Sequence, residues 1–143
     1  QDNLSMAAIP RRGPFVHRAG ERALVDRLVP MLQIKAASPA VTASSLSGGN
    51  LQKVVLGKCI APEPQVLLLD EPTRGIDVGA RMQIYATIRA LAEAGVSVIL
   101  LSEDLPELIG MSDRVVLMRK GAISKEFAHT EFPSEEEIIG HII

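Results

Sequence analysis

The apolar positions change period along the chain. From Gly20 they fall at Leu24, Val25, Leu28, Val29 and Leu32, the stripe of an amphipathic helix. Pro30 has no amide proton for the preceding turn and should kink or shorten that helix. Residues 36–47, rich in Ala, Ser and Thr, read as a loop. A second helix is predicted from Gly48 to about Cys59, with Leu51, Val54, Val55 and Leu56 as its apolar side. Residues 66–69 then form an apolar run without alternation, bounded by Pro64 and closed by Asp70, which predicts a strand buried on both faces. Asp77 should cap a helix reaching about Ala94, with Met82, Tyr85, Ile88 and Leu91 on one side and Gly95 ending it. A buried strand at 96–101 and a short helix at 104–110 follow. Two strands, 114–119 and 122–127, flank the tight turn Lys120-Gly121. Ser134 and Glu137 form a capping box for a last helix over 135–143. Residues 1–18, broken by Pro10, Gly13 and Pro14, read as irregular. Strand and helix alternate from residue 65 onward, so the fold class is α/β with parallel pairing.

Composition narrows the function classes. Fifteen Lys and Arg against seventeen Asp and Glu leave a formal net charge of −2, with 3% aromatics. Nucleic acid and anionic membrane surfaces are therefore not expected as direct partners. The single Cys59 has no partner for a disulfide or for zinc, which fits a reducing cytosol. No apolar run approaches the ~20 residues of a membrane span. The 143 residues, 47% of them apolar, suffice for one domain with a core.

Three signals for chemistry stand close together. Leu46-Ser47-Gly48-Gly49-Asn50-Leu51-Gln52 opens a helix with bare backbone amides at the positive end of its dipole, an anion site suited to phosphate oxygens. The plainer account is that Ser47 is an N-cap. Next, the apolar strand delivers Asp70 and Glu71 at its carboxyl end, where ligands bind in open α/β sheets. Successive strand side chains point oppositely, so the two acids would do different work. Asp70 suits a Mg²⁺ ion and Glu71 an attacking water. Pro72 biases Glu71 towards extended backbone. Taken alone, two acids at a solvated strand end are common. Third comes Arg74-Gly75-Ile76-Asp77, where Asp77 is equally a helix cap.

Together these residues resemble the nucleotide-binding domain of ATP-binding-cassette (ABC) transporters. Residues 46–52 match its signature motif, 66–71 its Walker B strand and catalytic glutamate, and Gly75-Ile76-Asp77 its D-loop. The resemblance runs from about Gly20 to the end of the chain. Asn50-Leu51-Gln52, the run from Pro72 to Ala80, Leu105-Pro106-Glu107 and the run from Gly110 to Arg114 are similar to the second ATPase half of monosaccharide importers. The resemblance implies ATP and Mg²⁺ as cofactors. It implies Glu71 as the catalytic residue, Asp70 as the metal ligand, and Ser47, Gly48, Gly49, Gln52, Asp77 and Glu103 around the nucleotide.

Two departures qualify this. A P-loop, G-x-x-x-x-G-K-[ST], is not found: at Gly57-Lys58 the pattern fails at Cys59 and again at Gln52. The Walker A strand, P-loop and glutamine loop are therefore expected upstream of Gln1. The chain reads as the C-terminal part of one ABC domain, a helical signature subdomain at about 1–59 and a Walker B core at about 60–143. At Ser102-Glu103-Asp104, Glu103 occupies the place where the family has a histidine contacting the γ-phosphate. A carboxylate there repels phosphate unless protonated or turned away. His17, His129 and His141 lie far from it in sequence.

The expected function is the ATP-hydrolysing subunit of a sugar importer on the cytoplasmic face of the inner membrane. Implied partners are a second ABC ATPase domain packed head to tail, membrane permease subunits and, indirectly, a periplasmic sugar-binding protein. An ABC ATPase without a transport role, or a non-enzymatic interaction module, are the alternatives. The partial P-loop NTPase fold, a mostly parallel sheet lacking the Walker A strand, should leave a gap beside the 96–101 strand. A second copy, a swapped segment or the 1–18 arm would fill it.

Overall fold

The computed structural model describes residues 1–12 and 15–128, with Ile138 and Gly140 beyond them. They form two compact units, Gln1–Ile99 and Leu100–Ile143. The first holds α1 (Asp2–Ser5), β1 (Arg11–Arg12), β2 (Phe15–Val16), α2 (Arg18–Met31), a 3₁₀ turn at Ala43–Ser45, α3 (Gly48–Ile60), β3 (Val66–Asp70) and α4 (Val78–Glu93). β4 (Ser97–Leu101) runs from the first unit into the second, which continues with α5 (Leu105–Met111), β5 (Arg114–Arg119) and β6 (Ala122–Ala128).

The stripe on α2 buries Val25 and Leu28, and Leu32 just beyond its end. The helix stops one residue after Pro30, and Ile34 N–H donates to the Val29 carbonyl to close it. The first residues are not irregular. Leu4 and Ser5 are buried, α1 packs on α2 and α3, and β1 pairs antiparallel with β2. Gly57 permits the close packing: a methyl there would lie 2.6 Å from both Leu4 Cδ2 and Leu32 Cδ1. Tertiary burial, not local periodicity, makes α1. The arm is thus engaged with itself and with the helices.

α3 turns Lys53, Val54, Leu56 and Ile60 inward, while Leu51 and Val55 are exposed. On α4 the buried stripe is Ala80, Ile84, Thr87, Ile88 and Leu91, and Met82 lies outside it. Gly95, at φ +94, follows the helix as expected of a C-terminal glycine.

β3 and β4 are hydrogen-bonded neighbours in a small parallel sheet with α4 as the crossover. Expectation and structure differ in burial. Leu67 and Leu69 are buried, but Val66 and Leu68 are 57% and 65% exposed, as is much of Ile99. Strand side chains alternate, and only one face of this sheet is covered. Among the described residues β4 is not paired with β5.

In the second unit β5 and β6 pair antiparallel through Lys120 and Gly121, at φ 51 and 79, the two positive values a tight hairpin turn needs. Val115, Leu117, Phe127 and Ile138 form its core, with Leu105, Leu108 and Ile109 packed against it. The predicted helix over 135–143, with its Ser134–Glu137 capping box, lies outside the described residues apart from helical Ile138 and Gly140, as do His129 and His141.

Candidate functional site

α3 starts where it does because Ser47 is extended, at φ −63 and ψ 156, and its carbonyl accepts the Leu51 N–H at 2.8 Å. The Ser47 side chain does not cap the helix. Its Oγ instead accepts from Asn50 Nδ2 at 2.9 Å, and Asn50 Oδ1 accepts the Lys35 N–H at 2.8 Å. The first turn therefore keeps its amides without a side-chain cap, the condition an anion site requires.

The two glycines play different parts. Gly48 is exposed, and a methyl there would meet nothing within 4 Å. Gly49 is buried against the start of α4, where a methyl would lie 2.5 Å from Ala80 Cβ and 3.4 Å from Asp77 Oδ2. Asp77 Oδ1 accepts the Ala80 N–H at 2.9 Å, so Asp77 is the N-cap of α4, as its plainer reading held.

Asp70 is exposed at the end of β3. Glu71, half-buried, stands at φ 47, in the left-handed region, where extended backbone was expected from Pro72. The chain must leave the strand in a turn, with Glu71 O accepting the Arg74 N–H at 3.2 Å and Pro72 and Thr73 buried beneath it. Left-handed backbone at a non-glycine residue costs roughly 1–2 kcal/mol, and the chain adopts it at Gln33, Glu63 and Lys120 as well. Gln52 and Asp70 line one small cleft between α3 and β3, together with Val55, Cys59 and Leu68. Glu103 belongs to the second unit, exposed on the bend between β4 and α5.

Sequence reasoning passed over Lys53. It is 3% exposed, and its ammonium donates to the Gln33 carbonyl at 3.1 Å and to Gln83 Oε1. Burial first, then the Lys35 charge, lowers its pKa, against an opposing pull from Asp77. The signal was present: Gly49, Lys53, Leu56, Gly57 and Ile60 share one helical face, and the two glycines mark it as the packed one. Glu21 was missed likewise. It is buried, accepts from Ser5 Oγ at 2.8 Å and pairs with Arg18 at 3.3 Å. The Ser5 hydroxyl, ahead of Arg18, holds its carboxyl below the usual range despite burial.

The donors suit a phosphate ligand with Mg²⁺. Asp70 offers an exposed carboxylate, a hard oxygen ligand, and no group of three or more His, Cys, Asp or Glu gathers among the described residues. A cation here would be shared between one carboxylate and phosphate oxygens, which is the Mg²⁺ pattern. No described helix is long and apolar enough to cross a membrane.

Comparison with known proteins finds relatives described as ATP-binding. Residues 5–74 match the ABC transporter family. The chain is 50% identical over 137 residues to the ribose import ATP-binding protein RbsA 2 of Rubrobacter xylanophilus, covering 94% of this chain and 26% of that protein. It is 46% identical over 136 residues to the xylose import ATP-binding protein XylG of Ralstonia nicotianae, covering 94% and 26%. With the ribose import ATP-binding protein RbsA of Bacillus subtilis the identity is 45% over 141 residues, covering 97% and 28%. The chain thus spans about a quarter of the length of these relatives. A dimeric ATP-binding cassette in a post-hydrolysis state, bound to ADP and Pi, superposes with a TM-score of 0.75 at 20% identity, over 92% of this chain and 56% of that one. That likeness establishes the fold.

Proposed function

From a chain that belongs to the ABC transporter ATPase family, we propose the signature-bearing and Walker B-bearing part of an ATPase that drives import of a monosaccharide. One observation carries the reading. The uncapped turn at Ser47–Gly49 rests on the Asp77–Ala80 turn, while Asp70 and Glu71 close β3 in the same unit. The relatives' roles in ribose and xylose import supply the substrate class.

In this reading the amides of Gly48 and Gly49, with the Ser47 hydroxyl, receive the phosphates of ATP held by a second ABC domain, packed head to tail. Asp70 would hold Mg²⁺, which would supply charge neutralisation to the phosphates. Glu71 orients the attacking water and accepts its proton, its carboxylate fixed by the left-handed turn. Gln52 and Asp77 complete the nucleotide surroundings within the first unit. Asp77 acts there through the α4 cap it provides. The protein docks on permease subunits at the cytoplasmic face of the inner membrane, and a periplasmic binding protein delivers the sugar.

Because the 143 residues contain no G-x-x-x-x-G-K-[ST], this chain alone should hold MgATP more weakly than about 1 mM. Uptake of labelled ribose and xylose tests the reading, in cells whose only importer carries this segment. Ser47→Arg should reduce uptake at least tenfold with the protein still present at the membrane. Undiminished uptake of both sugars would refute it.

A further inference from the structure

α3 and α4 meet at two points in register. Gly49 touches Ala80, and one turn further along each helix Lys53 meets Gln83. The first contact is apolar and lacks direction, since glycine offers no side chain and alanine only a methyl. The second is made by a directional ammonium. The same Lys53 Nζ also holds the Gln33 carbonyl, in the segment whose Lys35 N–H is bound by Asn50. Three segments converge on one buried cation that donates to two neutral oxygens.

A lysine this buried is a poor choice for stability alone. An apolar side chain of similar length avoids the desolvation cost, and such exchanges of buried charge are often neutral or stabilising. The group is present, and it sits one turn below the glycine that packs against Ala80 of α4. We propose that Lys53 is a positioning residue for the phosphate-facing turn, fixing the register of α3 on α4 so that Ser47–Gly49 is held against the Asp77 cap. The assignment rests on reading Ser47–Gly49 as the phosphate-binding turn. The packing claim itself makes no use of nucleotide.

Residue-resolved hydrogen exchange on the 143-residue chain tests it, together with thermal unfolding. In Lys53→Met, the amides of Leu51, Gln52, Ala80 and Arg81 should exchange at least tenfold faster. Those of residues 57–60, at the far end of α3, should change less than twofold, and Tm should stay within about 3 °C. Gln83→Met, which removes one acceptor and leaves the lysine, should give the same pattern more weakly. The double variant should add nothing to Lys53→Met. Uniform acceleration along α3 with a large fall in Tm would make Lys53 structural only, and unchanged exchange at the four amides would remove its role. Both results leave the ATP reading standing. Conversely, undiminished sugar uptake in Ser47→Arg would overturn that reading without touching the exchange pattern.

Discussion

Gly49 lies so close to Ala80 that a methyl on the glycine would come within 2.5 Å of the alanine Cβ. Two helix starts are thereby brought together, one with uncapped amides and the other capped by Asp77. Gly49→Ala should destabilise the chain by about 1–3 kcal/mol through overpacking. Ala80→Gly in the same chain should recover much of that loss. Gly48→Ala, with open space around it, should be neutral or stabilising by up to about 1 kcal/mol. Urea unfolding midpoints check all three, and equal losses at the two glycines would contradict the packing.

The sheet makes a second prediction. Leu67→Ala should cost about 2–5 kcal/mol, because its side chain is buried. Leu68→Ala, one residue along, should change stability by less than about 1 kcal/mol. Leu68→Lys should also reduce binding of an apolar dye, since the exposed Val66, Leu68 and Ile99 present apolar surface. Fluorescence titration and urea unfolding report both.

Glu71 makes a third. Its φ of 47 strains any side chain bearing a Cβ. Glu71→Gly should hold or raise stability by up to about 1 kcal/mol, while Glu71→Gln keeps the strain. A loss beyond 1 kcal/mol in the glycine variant would mean that the carboxylate, and not the turn, holds the strand end.

The sequence made some of this legible and not the rest. The α2 stripe, the Asp77 cap and the Lys120-Gly121 turn are local devices, and each appears where its residues place it. Burial of the 66–69 run was misjudged because an apolar strand looks the same whether one face or both are covered. α1 depends on Leu4 meeting Gly57, a contact more than fifty residues away in sequence. The Pro72 rule gave the wrong backbone at Glu71, since turn closure on Arg74 outweighs a neighbour's preference. Lys53 and Glu21 escaped notice because charged residues on a helix ordinarily face water.

Acid should act through Glu21. The Ser5 hydroxyl and Arg18 favour its charged form in the folded state, so its pKa is lower folded than unfolded. The stability it contributes is present above the unfolded carboxylate pKa and is lost as pH falls through the folded value. Ser5→Ala should flatten that acid limb in urea midpoints measured from neutral pH downward. For Lys53 the pKa is also lower folded, but here the charged form is the disfavoured one. Relative to Lys53→Met, stability should rise with pH between the folded value and the ordinary lysine range. An identical slope in the two proteins would contradict the buried cation.

The central claim is that Ser47–Gly49 serves the nucleotide of the opposing domain, while Asp70 and Glu71 serve this domain's own. Vanadate trapping of a photoreactive nucleotide measures it, in the complete transporter, with the label assigned to each ATPase half. Ser47→Arg should abolish trapping at the site built on the opposing half, by at least tenfold. Glu71→Gln should lower it only at the site of its own half. Equal losses at both sites from either change would contradict the division of labour on which the account depends.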